Sequence, residues 1–261
     1  MSRFDNRPAD QASNPVVGEY WDEVAPQTIP WHSHRRGQVI HVVKGCATVR
    51  AESGIYVLPP HRAIWLPPET PHQVRYPSQI AFRGIYIDRD YCHDLPARPT
   101  VLQVGGLTQA LIDSVSRLPW DYAPWGPEAR LCRVLLDQLV VLRVAPLSLP
   151  GAEDPRLVKV VEALREAPAN SDPVGTWAAT AHMSERTFAR RFLAETGMSF
   201  TEWRQQLRLL TVIERLAAGD PITTIAMDLG YATPSSLTTM FKKALGVPPS
   251  KFFAKDPEGE D

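Results

Sequence analysis

The sequence predicts a two-domain chain of mixed α and β structure. An N-terminal β-barrel or sandwich with helices behind it precedes an all-α C-terminal domain with two helix-turn-helix motifs. Three observations predict this. Short β-branched or aromatic runs with Gly/Pro punctuation fill residues 16–88. Helix-start signals crowd the C-terminal third, and that third contains an internal repeat. The 261 residues suit one or two domains at roughly 150 residues each. With 44% hydrophobic and 22% charged residues, the chain is excluded from the wholly disordered class.

No apolar run approaches the ~18 residues of a membrane span, so no membrane partner is expected. The polar start MSRFDNRPADQASNP shows no secretory h-region, and a cytoplasmic location is expected. Cys46, Cys92 and Cys132 are scattered and odd in number, which gives no disulfide framework and suits a reducing compartment.

Taken in order, residues 1–14 are expected to be a disordered arm. Residues 15–95 carry the barrel, with strand-like runs at 38–45, 46–52, 54–60, 62–68, 72–77 and 81–88. The pattern changes near Pro96–Pro99, and residues 96–150 are expected to be a helical segment and linker. There Leu107, Leu111, Val115 and Leu118 recur near the 3.6 period, as do Leu131, Val134, Leu135, Leu139 and Leu142. The helix expected at 128–144 has a wide apolar face with two candidate fates: a homodimer contact, or packing beneath its own barrel. APLSLPGAEDP (145–155) reads as the linker. Residues 151–255 form the second domain, and 256–261 an acidic tail.

In that domain Asp154-Pro155, Asp172-Pro173, Asp220-Pro221 and Thr233-Pro234 each offer a capping residue followed by proline at the first helical position. Ser199-Phe-Thr-Glu202 is a capping box, and Ser184 offers a further cap. Helices are predicted at 155–166, 173–180, 185–195, 200–217, 221–228 and 234–244. The segments 176–197 and 224–246 share one layout: Trp177 and Ala178 correspond to Ile225 and Ala226, and Phe188, Phe192 and Gly197 to Leu237, Phe241 and Gly246. Each copy reads as a short helix, a tight turn and a second helix able to enter a major groove.

The outward residues of the two second helices suit DNA. Phe188 and Phe192 face inward, so Arg186 and Arg190, about 200° round the helix, face out and match the bidentate demand of guanine. Ser184, Thr187 and Arg191 flank them. The second copy offers Ser235, Ser236, Thr238 and Thr239 as hydroxyls, with Lys242 and Lys243 for phosphates. Residues 174–255 hold ten Lys/Arg against six Asp/Glu, a net +4. That is too little charge for a nonspecific DNA-coating protein. The helix between the copies, about 27 Å long, would hold the two readers near one duplex turn, ~34 Å, apart.

WAATAHMSERTFARRFLAETG, FTEWRQQLRLL and IAMDLGYATPSSLTTMFKKALGVPPSKFF together resemble the AraC/XylS-type transcription regulators over roughly 155–253. The resemblance implies base contacts from Arg186, Arg190, Ser235 and Thr239. Thr239 stands where relatives often carry arginine, which implies weaker base reading by the second motif. The expected partners are double-stranded operator DNA, RNA polymerase, a second copy of the chain, and a small-molecule or metal effector.

In the N-terminal half, His32-Ser33-His34 puts two imidazoles on one side of a strand. With Gln38 and the distal Pro67-Pro-Glu69-Thr-Pro-His72, they resemble the two cupin motifs. That resemblance implies a small barrel in which His32, His34, Gln38 and His72 hold a divalent transition metal. Glutamine replaces the usual glutamate, which weakens the set, and Glu69 is a candidate substitute carboxylate. The alternative is a metal-free pocket for an organic effector. Trp31, His41, Arg62, Trp65 and Tyr86 are candidate pocket residues beside the histidines, with plain core as the other reading of the tryptophans.

The chain therefore reads as a ligand-responsive, sequence-specific DNA-binding transcription regulator that is no enzyme. The rival is a cupin metalloenzyme, a dioxygenase or isomerase, fused to a DNA-binding module.

Overall fold

The computed structural model describes residues 9–252. The first eight residues of the predicted arm, and the predicted acidic tail at 256–261, lie outside them. The chain divides into two compact units: residues up to Ala51 with Tyr56–Ser148, and Glu52–Ile55 with the residues from Leu149 on.

Residues 16–150 carry strands β1 (Val16–Val24), β2 (Gln27–His32), β3 (Gly37–Lys44), β4 (Ala47–Ala51), β5 (Gly54–Leu58), β6 (Arg62–Leu66), β7 (His72–Tyr76), β8 (Ile80–Ile87), β9 (Thr100–Gln103) and β10 (Ser148–Pro150). They form two five-stranded sheets, ordered β1-β8-β3-β6-β9 and β10-β5-β4-β7-β2. The six predicted runs are all strands. β9 and β10 are short and fall where helix or linker was expected.

In the first sheet Gln38 pairs with Tyr86 and Leu66, and Val39 with Ile85 and Trp65. Because side chains alternate, one face carries Gln38, Tyr86 and Leu66. The other carries Val16, Val39, Ala63, Trp65, Ile85 and Ile87, which join Ile112 and Val115 of α1 (Gly106–Ser116) and Cys132, Leu135 and Leu139 of α2 (Pro127–Val140) in one core. Burying each such aliphatic side chain contributes roughly 1.5–3 kcal/mol. The amphipathic α2 thus packs on α1 and into the core of its own domain, and leaves Val134, Val140 and the capping Val141 exposed.

The predicted arm is corrected over residues 9–14. Ala9–Gln11 form a 3-10 turn. The Asp10 carboxylate accepts from the amides of Arg35 and Arg36, at 3.0 and 3.2 Å. The Arg36 guanidinium donates to the carbonyls of Ala12, Asn14 and Pro15. Buried Asn14 donates to the carbonyls of Trp120 and Tyr122. A segment with this many paired polar groups is ordered.

The C-terminal unit carries α3 (Pro155–Glu166), α4 (Val174–Thr180), α5 (Glu185–Thr196), α6 (Phe200–Ala217), α7 (Ile222–Asp228), α8 (Pro234–Leu245) and α9 (Pro249–Phe252). Asp154, Ser184, Ser199 and Thr233 cap α3, α5, α6 and α8 as expected, with complete capping boxes at Ser199/Glu202 and Thr233/Ser236. Two Asp-Pro signals act differently. α4 and α7 begin one residue later, with Pro173 and Pro221 as N-caps. Asp220 instead pairs with Arg215 at 2.6 Å.

The repeat is a packing repeat. Trp177, Ala178, Phe188 and Phe192 are buried, as are Ile225, Ala226, Leu237 and Phe241. Gly197 and Gly246 end the second helices at φ 70° and 80°. The turn inside each motif also needs a left-handed residue: Gly230 at φ 73° in one copy, and His182 at φ 53° in the other.

Replacing Ser199 by alanine removes half of a capping box and should cost about 1 kcal/mol in denaturant unfolding. A second expectation concerns His41, which is 1% exposed beneath α1 with no partner for Nε2. Burial pushes its pKa down from 6.5 to about 4. Below pH 6.5 the unfolded chain takes up a proton that the folded chain refuses. Stability should therefore fall from pH 6.5 towards 4, by at most about 1.4 kcal/mol per pH unit for this one group. Urea melts across that range should show a shallower pH slope for His41→Gln.

Candidate functional site

His32 ends β2 and His72 begins β7, and the two are register partners across the second sheet. His34 follows in the turn to β3, where its carbonyl accepts from the amide of Glu69 at 2.8 Å. The three imidazole rings therefore meet, with centroids 4.2 Å apart for His32–His72, 5.2 Å for His34–His72 and 6.0 Å for His32–His34. One nitrogen from each lies within 4.8 Å of the other two.

Their tautomers follow from their neighbours. Nδ1 of His32 is 2.8 Å from the carbonyl of Pro30, Nδ1 of His34 is 2.7 Å from that of Arg36, and Nδ1 of His72 is 2.9 Å from that of Thr70. A carbonyl only accepts, so each Nδ1 carries a proton, which leaves Nε2 of His32 and His72 a lone pair, while Nε2 of His34 faces a further oxygen, Oε1 of Gln38. His72 is fully buried with its Nε2 unpartnered. Burial, helped by the other two histidines, pushes its pKa down to about 4, so it is neutral at pH 7. Three imidazoles with backbone-fixed rings are a donor set that a divalent transition metal takes.

Gln38 reaches this cluster: its Oε1 is 3.1 Å from Nε2 of His34. The Tyr86 ring stands edge-on to His34 at 5.4 Å, and its hydroxyl donates to Oε1 of Glu19 at 2.9 Å. Sequence reasoning missed Glu19. A signal was present: it is the one carboxylate at inward parity with Val17 at the start of the apolar run VVGEYW. Glu19 is paired with Gly84, and its side chain crosses over that glycine. A Cβ at Gly84 would lie 2.9 Å from Glu19 Cγ and Oε1. Burial raises the Glu19 pKa, opposed by hydrogen bonds from Tyr86 and Trp21 and by His34. Burial and the Glu19 charge push the Tyr86 phenol well up.

Other predicted pocket residues are elsewhere. His41 and Trp65 point to the opposite face of the first sheet: Trp65 is core against the helices and donates to the Pro96 carbonyl at 2.8 Å. They share the parity of Val39, which excludes them from the side holding Gln38. Arg62 lies four residues along β6 from Leu66, the partner of Gln38, towards the far end of the sheet. Trp31 is 51% exposed on β2. Glu69 is no substitute ligand, since its carboxylate pairs with Arg89 at 3.2 Å on the surface. A separate cavity of about 340 Å³ opens beside α2, lined by Tyr91, Leu95, Tyr122, Trp125 and Leu136 among others, and includes none of the predicted pocket residues.

On α5, Arg186 and Arg190 are exposed and make no hydrogen bond or ion pair among the described residues. Arg191 differs, because it is ion-paired with Asp154 at 2.8 Å. Ser184 Oγ accepts from the Thr187 amide as the cap and donates to Thr187 Oγ1. On α8, Ser236 is occupied by its capping box, and its hydroxyl donates to the Thr233 carbonyl. Thr238 and Thr239 donate back to the carbonyls of Pro234 and Ser235, so only their acceptor lone pairs face outward. Ser235, Lys242 and Lys243 are exposed.

Residues 15–141 match the AraC-like ligand binding domain family, and residues 177–255 match a helix-turn-helix domain family. The HTH-type transcriptional regulator NimR of Escherichia coli (strain K12) is 33% identical over 228 residues, 87% of this chain and 83% of that protein.

The chain belongs to the AraC-type transcriptional regulators.

The regulator binds DNA through its helix-turn-helix domain, as the AraC/XylS resemblance implied, and a small-molecule effector through its barrel domain. The HTH-type transcriptional regulator RipA of Corynebacterium diphtheriae is 36% identical over 110 residues, 42% of this chain and 32% of that protein. The crystal structure of the DNA-binding domain of AdpA in complex with a target DNA is 32% identical, covers 41% of this chain and 100% of that one, and has a TM-score of 0.36. Among the described residues no helix is long and apolar enough to cross a membrane.

Proposed function

We propose that this regulator senses its effector at the His32–His34–His72 cluster through a divalent transition metal, and reads its operator chiefly through Arg186 and Arg190. The convergence of one ring nitrogen from each of the three histidines within 4.8 Å carries the first half. A bound ion would supply a Lewis-acidic anchor for an oxygen or nitrogen of the effector. The chain's own part is to fix the rings through Pro30, Arg36 and Thr70, and to offer Gln38 as a fourth, neutral ligand. No enzymatic turnover is part of this reading, because a regulator needs only reversible occupancy. The cytoplasm is its place of action, with RNA polymerase as the partner on DNA. The exposed Val134 and Val140 of α2, with Val141 at its C-cap, favour a homodimer.

The second half rests on which cations are already engaged. Arg204 and Arg208 donate to carbonyls between Pro168 and Asp172, and Arg215 pairs with Asp220 and Asp228. Among the described residues from Val174 on, Arg186, Arg190, Lys242, Lys243 and Lys251 are left, and of these the first four lie on α5 and α8 for DNA, with Ser235 and Thr239 as weaker readers.

Arg190→Ala should cost about 1–3 kcal/mol of operator binding and relax preference at one base pair. Lys243→Ala should weaken binding to all sequences and flatten the salt slope by about one unit. Footprint titrations at several salt concentrations separate the two, and unchanged operator affinity in Arg190→Ala would remove that arginine from the interface.

For the sensor, protein purified without any metal-affinity step should carry a transition metal that His34→Ala lacks, while the variant still binds operator. A metal-free wild type that responds normally to effector would make the barrel an organic-ligand pocket instead.

A further inference from the structure

Three imidazoles and a carboxamide form a neutral donor set. Such a set brings no charge of its own, and leaves the full charge of a bound ion within a barrel of low polarity. One carboxylate lies behind the cluster, and it is built in. Glu19 is placed by β1, given room by the missing side chain of Gly84, and oriented by the hydroxyl of Tyr86 at 2.9 Å. The Tyr86 ring in turn stands against His34. Glu19 belongs to neither histidine motif, and comes from the opposite sheet.

We infer that Glu19 is the charge-selecting residue of the three-histidine site: held off the ion by Tyr86, it favours divalent over monovalent metal. This inference rests on the metal reading of the barrel. Burial pushes the Glu19 carboxyl up and the hydrogen bond from Tyr86 opposes that push. A bound cation opposes it further, and because Coulomb attraction scales with the charge of the ion, the carboxylate stabilises M²⁺ by about twice as much free energy as M⁺. Gln38, which occupies the place of a ligand carboxylate, supplies no charge. Glu19 supplies it from outside the coordination sphere, where it leaves a coordination position open for an effector atom.

The test is the affinity of the full-length protein for Zn²⁺ and for Cu⁺, by chelator competition at pH 7.5, in wild type, Glu19→Gln, Glu19→Asp and His34→Ala. Glu19→Gln keeps the volume of the side chain and an oxygen to accept from Tyr86, so the barrel should remain folded. Loss of a partner just outside the ligands typically lowers metal affinity about 10–100-fold. Glu19→Gln should lose that much for Zn²⁺ but only about 3–10-fold for Cu⁺, half the free energy. Glu19→Asp should restore most of the Zn²⁺ preference.

Equal losses for both ions would give Glu19 a merely structural role and overturn the inference. So would unchanged Zn²⁺ affinity in Glu19→Gln, or a wild type that takes Cu⁺ and no Zn²⁺. A wild type that binds both ions no better than His34→Ala would instead overturn the metal reading itself, and this inference with it.

Discussion

Side chains along β3 and β8 alternate between two environments that differ in kind, and the N-terminal domain depends on that alternation. One parity (Val39, Ile85, Ile87) meets α1 and α2 and is closed by aliphatic packing. The other (Gln38, Tyr86) meets the histidine cluster and is closed by hydrogen bonds. A register slip of one residue on either strand would put Gln38 into the helix-side core and Val39 among the imidazoles. The strands lock this register twice, through β6 and β1 on either side, before any ligand is involved. The polar site is thus a by-product of a sheet whose other face is held by apolar burial.

What the sequence disclosed follows the range of the interactions concerned. Caps, left-handed glycines and the repeat are local, so α3, α5, α6 and α8 are legible to within one residue. Asp172 and Asp220 misled because a side chain that caps in one context bonds or pairs in another: Asp220 found Arg215. The HxH pattern is legible as a pair, but not as two positions of one strand: β2 ends at His32, and the turn that follows brings His34 beside it. Trp65 and His41 were misplaced because a sheet buried on both faces shows apolar residues at both parities, and inside cannot then be told from outside. Glu19 was invisible to motif reasoning: its neighbours Tyr86, Gln38 and His34 come from other segments, and only the sheet order joins them.

In the DNA-binding domain, arginine count and available arginine differ. Arg204 and Arg208 satisfy carbonyls between α3 and α4 that would otherwise face a helix unbonded, and Arg215 closes the end of α6. The net +4 therefore overstates the charge free to meet phosphate. The two motifs are also unequal readers. One presents two unengaged guanidiniums, and the other presents hydroxyls whose protons are already given to their own helix. Specificity should concentrate in the first motif, while the second contributes mostly position.

Each histidine of the barrel cluster is steered by a carbonyl only two residues away in its own chain segment: Pro30 for His32, Arg36 for His34, Thr70 for His72. None of the three relies on another's backbone for its pose. Cooperative networks fail as a whole when one member changes, whereas independently mounted parts fail singly. A lineage could therefore lose one imidazole and keep two correctly aimed, passing from a three-nitrogen to a two-nitrogen site without rebuilding the barrel. Effector preference in such a scaffold can drift by single substitutions, while the sheet, the helices behind it and the DNA-reading half stay as they are.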